Sequence, residues 1–176
     1  MRRLPPPIVI EKPSLARQTD FLTAVRRSRT LFRRWVDPPA TGPQYREFVR
    51  RLRGTRHIGH FICDEDGRLA GVININEIVR GRFRSGYLGY YAFTPFAGRG
   101  YMRAGLSAVL RRAFGEYRLH RLEANIQPSN AKSIALVESL GFTREGYSPR
   151  YLKISGRWCD HERWALTAES WQKRDG

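Results

Sequence analysis

The spacing of apolar positions changes several times along the chain, and each change marks an element. Ile8-Val9-Ile10 reads as a short edge strand behind the stiff run Pro5-Pro6-Pro7. Pro13-Ser14 opens a helix carrying Leu15, Leu22 and Val25, with Phe21 beside them, and Asp37-Pro38-Pro39 ends that region. Thr41 caps a second helix with Pro43 in its first turn, where the missing donor is harmless. Tyr45, Phe48, Val49 and Leu52 then fall at i, i+3, i+4 and i+7, one apolar stripe that Gly54 stops. From His57 the period shortens to two. Ile58–Cys63 reads as a strand, Asp64-Glu65-Asp66-Gly67 as a hairpin turn, Leu69–Val79 as the return strand and Tyr87–Phe93 as a third. Pro95 breaks the pattern, and a helix runs from about Tyr101 to Phe114 with Met102, Leu106, Val109, Leu110 and Ala113 on its inner face. Along Leu119–Ile126, Leu122, Ala124 and Ile126 share one face, and Arg121, Glu123 and Asn125 the other. Pro128-Ser129-Asn130 opens a short helix with Ile134, Val137 and Leu140 inward, which Gly141 closes. Phe142–Ile154 and Trp158–Leu166 form a last hairpin about Ser155-Gly156-Arg157.

The order is βααβββαβαββ, a mixed α/β fold with a mostly antiparallel central sheet flanked by helices. No repeat or flexible linker divides it, and its length suits one sizeable core. Residues 1–7 read as a Pro-rich N-terminal segment, 8–168 as a single domain and 169–176 as a C-terminal tail. A 41% share of hydrophobic residues excludes wholesale disorder, and no apolar run reaches the roughly 20 residues of a membrane span. Only Cys63 and Cys159 are present, so neither a disulfide framework nor a cysteine-based zinc site is implied, and a reducing cytoplasm is expected.

Charge changes the picture. The formal net charge is +16, and 28 of the 32 basic residues are arginine. Such a balance favours anionic partners, whether RNA, acidic protein surfaces or phosphorylated cofactors. Arg26, Arg27, Arg29, Arg33 and Arg34 cluster around Leu31, Phe32 and Trp35, as a rim to an acceptor cleft or as a solvated helix face.

Chemistry concentrates at the strand–loop–helix centred on Gly98-Arg99-Gly100. Two glycines allow a bulky anion close to the backbone, and first-turn amides have no intrahelical partner. The helix dipole adds about half a positive charge there, and Arg99 adds a full one. Neither the Walker pattern nor the dinucleotide fingerprint fits, since no Gly-Lys-Ser/Thr follows and the preceding strands are hairpin-linked.

Phe93-Thr94-Pro95-Phe96-Ala97-Gly98-Arg99-Gly100-Tyr101-Met102 resembles the acetyl-CoA diphosphate loop of the GNAT acetyltransferase superfamily. Leu122 to Ser133 and Ser139-Leu140-Gly141-Phe142 resemble its following strand and helix. Glu145-Gly146-Tyr147 and Gly156 to His161 are similar to its RimJ/RimL-like branch, whose members acetylate ribosomal-protein N-termini. The resemblance implies an acetyl-CoA-dependent N-acetyltransferase without a metal. The backbone of Ala92 and Phe93 would pair with pantetheine, Gly98, Arg99, Gly100, Tyr101 and Met102 would hold the diphosphate, Asn130 and Ser133 would contact the lower CoA chain, and Lys132 would neutralise phosphate. Ala97 and Met102 depart from the loop's usual Gln or Arg and Gly or Ala.

The same resemblance makes Glu123 the general base, at a position where some members carry a glutamate. Arg121 on the same face makes an ion pair the competing reading. Where many relatives carry a tyrosine as general acid stands Val137, which leaves the acid unassigned, with Tyr90, Tyr147 and Tyr151 as candidates. Direct attack on the thioester is expected, since no Cys/His/Asp constellation supports an acyl-enzyme. Cys63 reads as a small core residue. Asp160 and His161 point to opposite faces of a strand and are poor co-ligands for a metal, and His57, His60 and His120 show no ligand spacing. The resemblance implies an N-terminal protein amine as acceptor, with a small amine or antibiotic as the alternative, and together with the net charge it implies rRNA as an electrostatic partner. A non-catalytic RNA- or protein-binding module on the same fold is the alternative of another class.

Overall fold

The computed structural model describes residues 4–32 and 34–175, so Arg33 of the arginine cluster, residues 1–3 and Gly176 lie outside the described residues. Seven strands form one sheet: β1 (Val9–Glu11), β2 (Ile58–Cys63), β3 (Leu69–Val79), β4 (Ser85–Ala92), β5 (Arg121–Ile126), β6 (Thr143–Ile154) and β7 (Arg157–Thr167). Their spatial order is β1-β2-β3-β4-β5-β7-β6, and every neighbouring pair is antiparallel except β4 and β5. The mixed, mostly antiparallel sheet expected from the sequence is therefore present. Helices α1 (Gln18–Arg27), α2 (Arg29–Phe32) and α3 (Gly42–Arg51) cover one face, while α4 (Tyr101–Phe114) and α5 (Ala131–Ser139) cover the other. With helices on both sides, the first seven residues of β3 are buried in succession rather than in alternation.

The first face is an aromatic core. Phe21 of α1 lies within 5.7 Å of the rings of Tyr45, Phe48, Phe61 and Phe93, centroid to centroid. Thr41 caps α3 in the expected way, taking the Gln44 amide while the Gln44 side chain returns to the Thr41 amide. The stripe assigned to the first helix is corrected. Leu15 sits in a separate 3-10 turn and is 48% exposed, whereas Phe21 and Val25 are buried on α1 as expected, joined by Ala24.

The second face packs α4 tightly on β2 and β3. A Cβ on Gly71 would lie 2.4 Å from Met102 Sδ, and one on Gly105 2.8 Å from Ile62 Cγ1. These two glycines let the helix approach the sheet and fix the height of its N-terminus. The expected C-terminal tail is also corrected: Ala168–Asp175 forms α6, whose Trp171 is buried and packs against Phe114 at 6.5 Å. Its single large apolar residue gave too little periodicity to reveal a helix.

His60 ties the sheet to the end of α4. Nδ1 lies 3.1 Å from the Ile73 carbonyl and Nε2 3.0 Å from the Tyr117 hydroxyl. Burial pushes this imidazole down to about 4, against an opposing contribution from the Ile73 carbonyl. The unfolded ring titrates near 6.5, so on acidification the unfolded chain takes up the proton first. Stability held at neutral pH is thus lost as pH falls from about 6.5 towards 4, by up to about 3 kcal/mol. Urea titrations at pH 7 and pH 4.5 should show this loss. His60→Asn, which keeps a donor for Ile73, should make the dependence shallower.

Candidate functional site

β4 and β5 pair only from Ser85↔Arg121 to Leu88↔Ala124. Beyond that register the two strands diverge, leaving Gly89–Ala92 and Asn125–Ile126 on opposite lips of a gap. The Phe93 amide donates to the Ala70 carbonyl across β3. By strand alternation the amides of Tyr90 and Ala92 face the gap. One part of the expected cofactor contact is therefore corrected: Ala92 offers a free backbone edge, whereas Phe93 does not. The Phe93 carbonyl receives the amides of Phe96 and Ala97, and its ring is fully buried in the aromatic core.

A cavity of about 690 Å³ passes through this gap. On the α4–α5 side it is bordered by Ala97, Gly98, Gly100, Met102, Arg103, Lys132 and Ser133. On the other side lie Leu31, Phe32, Trp35, Asn125, Leu152, Ile154 and His161.

The first end is built for an anion. Gly98 and Gly100 have φ of +75° and +89°, in the left-handed region that disfavours a side chain. Gly100 caps α4 without a side-chain bond, and among the described residues nothing accepts from the amides of Gly98, Gly100, Tyr101 or Met102. A Cβ on Gly98 would meet nothing within 4 Å, so its constraint is the positive φ rather than crowding. Free amides, a helix N-terminus and the cations of Arg103 and Lys132 fit a diphosphate. Tyr101 turns its ring onto Phe96, 5.1 Å away, so it offers the site its backbone alone. Arg99 faces a second hollow beneath Pro5-Pro6-Pro7, shared with Arg103 and Arg111.

Asn130 caps α5 by accepting from the Ser133 amide at 3.3 Å, and the Ser133 hydroxyl pairs with Tyr90 Oη at 2.6 Å across the gap. Both border the cavity, with these atoms already engaged. Burial pushes the Tyr90 hydroxyl up to about 12. Of the three tyrosines considered for the proton donor, only Tyr90 borders the cavity. Tyr147 is bonded to Asp160, and Tyr151 accepts from Asn125 Nδ2 at 3.4 Å. Val137 is buried in the core.

Glu123 is placed away from the cavity lining. Its Oε1 lies 2.9 Å from Arg121 Nε, and the same guanidinium grips Glu145, whose carboxyl it holds below the usual range. The ion-pair geometry that competed with the base reading is thus formed. Cys63 is a buried core thiol, raised to about 11 chiefly by burial. Asp160 and His161 do face opposite ways: Asp160 pins the Tyr147 hydroxyl and the Arg150 amide, and His161 points into the cavity.

His161 was the residue that sequence reasoning set aside. It is 2% exposed, and its Nδ1 lies 3.0 Å from the Cys159 carbonyl. Two further buried polar atoms, Asn125 Oδ1 and Tyr91 Oη, belong to residues that border the cavity and have no hydrogen-bond partner among the described residues. The segment after α2 closes this end. Gln127 Nε2 donates to the Arg34 carbonyl at 2.6 Å, and Asp37 accepts from the amide and hydroxyl of Ser155 at 2.7 Å. Among the described residues, Leu31 and Phe32 of α2 and Trp35 and Val36 after it line the cavity.

The acetyltransferase (GNAT) domain profile matches residues 8–143. The chain is 40% identical over 115 residues to the ribosomal protein uS5-alanine N-acetyltransferase of Escherichia coli K12, a match covering 65% of this chain. It spans only 59% of that relative's length. Among solved structures, Mycobacterium smegmatis RimJ in complex with CoA-disulfide superposes with a TM-score of 0.85 at 26% identity, over 92% of this chain and 82% of that one. The spermidine N-acetyltransferase of Vibrio cholerae in complex with CoA and spermine shares the fold, with a TM-score of 0.81 at 18% identity over 94% and 98% of the two chains. A gapped sheet with an anion cradle at the head of α4, together with these matches, places the chain in the GNAT acetyltransferase family, as a RimJ-like member.

Proposed function

We infer that the protein transfers the acetyl group of acetyl-CoA to a protein N-terminal α-amine of the ribosomal-protein type, in the cytoplasm. One observation carries the choice of acceptor. No Asp or Glu is among the described residues that line the cavity. A polyamine or aminoglycoside brings several cations, which need carboxylates near the reacting nitrogen. A protein N-terminus brings one amine of pKa about 7.7–8.0, which loses its proton near neutral pH at little cost. The aromatic and aliphatic wall of Leu31, Phe32, Trp35 and Ile154 suits its neutral form and a first side chain without charge.

When bound, acetyl-CoA supplies a thioester carbonyl for attack. The free backbone of Ala92 extends towards its pantetheine arm, and the α4 amides with Lys132 and Arg103 neutralise its diphosphate. Asn130 and Ser133 stand beside the lower part of the same path. The similarity to the uS5-alanine enzyme supports the α-amine reading over a small-amine one.

Three measurements test this reading. Incubation with acetyl-CoA and a panel of ribosomal-protein N-terminal peptides, spermidine and an aminoglycoside should acetylate the peptides only, as seen by mass spectrometry; preferential acetylation of the polycations would overturn it. Gly98→Ala forces a side chain onto a positive φ in the cradle loop, and should weaken acetyl-CoA binding at least about tenfold by calorimetry, since loss of even one charge-assisted contact is worth about 1.5–3 kcal/mol. The +16 charge supports electrostatic association with rRNA. Its affinity should then fall by on the order of 10³-fold between 50 and 200 mM salt, and a flat response would remove rRNA from the partners.

A further inference from the structure

The cavity has a base that the glutamate reading overlooks. We propose that His161, through Nε2, is the proton acceptor for the attacking amine, an assignment that rests on the acetyl-transfer reading above. Four observations converge on this ring. It borders the cavity on the acceptor side, next to Asn125 and Ile154. Nδ1 stands 3.0 Å from the Cys159 carbonyl, and a carbonyl only accepts, so the neutral ring carries its proton on Nδ1 and its lone pair on Nε2. Among the described residues nothing pairs with Nε2. Tyr151 packs on the ring at 5.7 Å between centroids and holds its plane.

The surroundings keep the imidazole unprotonated. Ser148 and Tyr151 of β6 and Cys159 and Asp160 of β7 surround it, and among the described residues the charge that acts on it is that of Asp160. That carboxylate points to the opposite face and is occupied by Tyr147 and the Arg150 amide. Burial outweighs it and lowers the ring below its ordinary 6.5, leaving a free base at neutral pH. No other described carboxylate, phenol or imidazole on the lining offers this. Tyr90 and Tyr91 are held as neutral phenols by burial, Asn125 is an amide, and Glu123 lies outside the lining with Arg121 on its carboxylate.

The step balances without a further reagent. The amine nitrogen forms its bond to the thioester carbonyl carbon, whose π electrons move to oxygen. His161 Nε2 removes the proton from the resulting ammonium. Collapse of the oxyanion breaks the C–S bond, and the proton passes through cavity water to the departing thiolate. No residue at position 137 is required to donate it.

The test is the pH profile of His161→Asn, in which the amide nitrogen still donates to Cys159 but no base remains, alongside His161→Gln and Glu123→Gln, each checked by circular dichroism. Wild-type kcat should rise with pH to a plateau, with an apparent pKa below 6.5. In both His161 variants kcat should drop about 10²–10⁴-fold, lose that acidic limb and recover in part with added imidazole, with the acetyl-CoA Kd little changed. Glu123→Gln should keep the limb. A His161→Asn protein that retains wild-type kcat or its acidic limb overturns the assignment, as does a limb abolished by Glu123→Gln alone. A wild-type protein that binds acetyl-CoA and acetylates no amine would instead defeat the parent reading, and this one with it.

Discussion

A sheet that stops pairing in its own interior exposes what a sheet normally hides. From Gly89 to Ala92 on one side and from Asn125 to Ile126 on the other, the edges of β4 and β5 that face each other pair with no strand among the described residues. Each such group left without a partner away from water costs about 1–3 kcal/mol. The divergence therefore persists only because packing elsewhere fixes both strands. β4 is held along its length by β3, and β5 by β7 over six residue pairs from Arg121 to Ile126. The gap is the difference between two well-paired halves. A ligand with alternating amide groups completes the ladder that the protein leaves open.

The helices at the two mouths of the gap are placed by unlike means. At the CoA end the determinant is close approach: Gly71 and Gly105 let α4 settle onto β2 and β3, which brings its unpaired first-turn amides level with the end of β4. At the acceptor end it is bulk. Phe32, Tyr91 and Phe93 meet edge to face within 6.2 Å, and α2 rides on that cluster. Two polar ties, Gln127 to the Arg34 carbonyl and Asp37 to Ser155, then fasten the following segment to the end of β5 and to the β6–β7 turn. One face of the fold is rigid by contact and the other by aromatic packing, so changes at one mouth need not disturb the other.

The sequence carried the scaffold well because its signals are local. Thr41 with Gln44, the Gly98-Arg99-Gly100 turn and the alternation through β5 each depend on a few neighbouring residues. What escaped depends on distant pairing. That the Phe93 amide is engaged by Ala70 follows only from the β3–β4 register, so two adjacent residues looked equivalent when one was free. Glu123 and His161 show the same limit. The alternation correctly put Glu123 opposite the core, but its ion pair with Arg121, backed by Glu145 on β6, takes a third strand to see. His161 shared the uninformative signature of any strand histidine until β7 laid it beside the end of β5.

Charge arithmetic links the cavity to its surface. An amine must enter this apolar mouth neutral, because an ammonium buried without a counter-ion costs several kcal/mol and no carboxylate lines the described cavity. Neutralising an α-amine at pH 7 costs about 1 kcal/mol, whereas a lysine ε-amine or similar alkylamine near pKa 10.4 costs about 4.6 kcal/mol. The cavity thus discriminates by about 3 kcal/mol, roughly two orders of magnitude, before any side chain of the acceptor is read. The many arginines act outside this selection. They crowd the surface, where cations repel free polycations and attract polyanions. Both effects favour the proposed acceptor, an amine at the end of a chain, and the proposed polyanionic partner over free polycations. The exclusion of carboxylates from the cavity and the excess of arginine around it are one electrostatic device read at two distances.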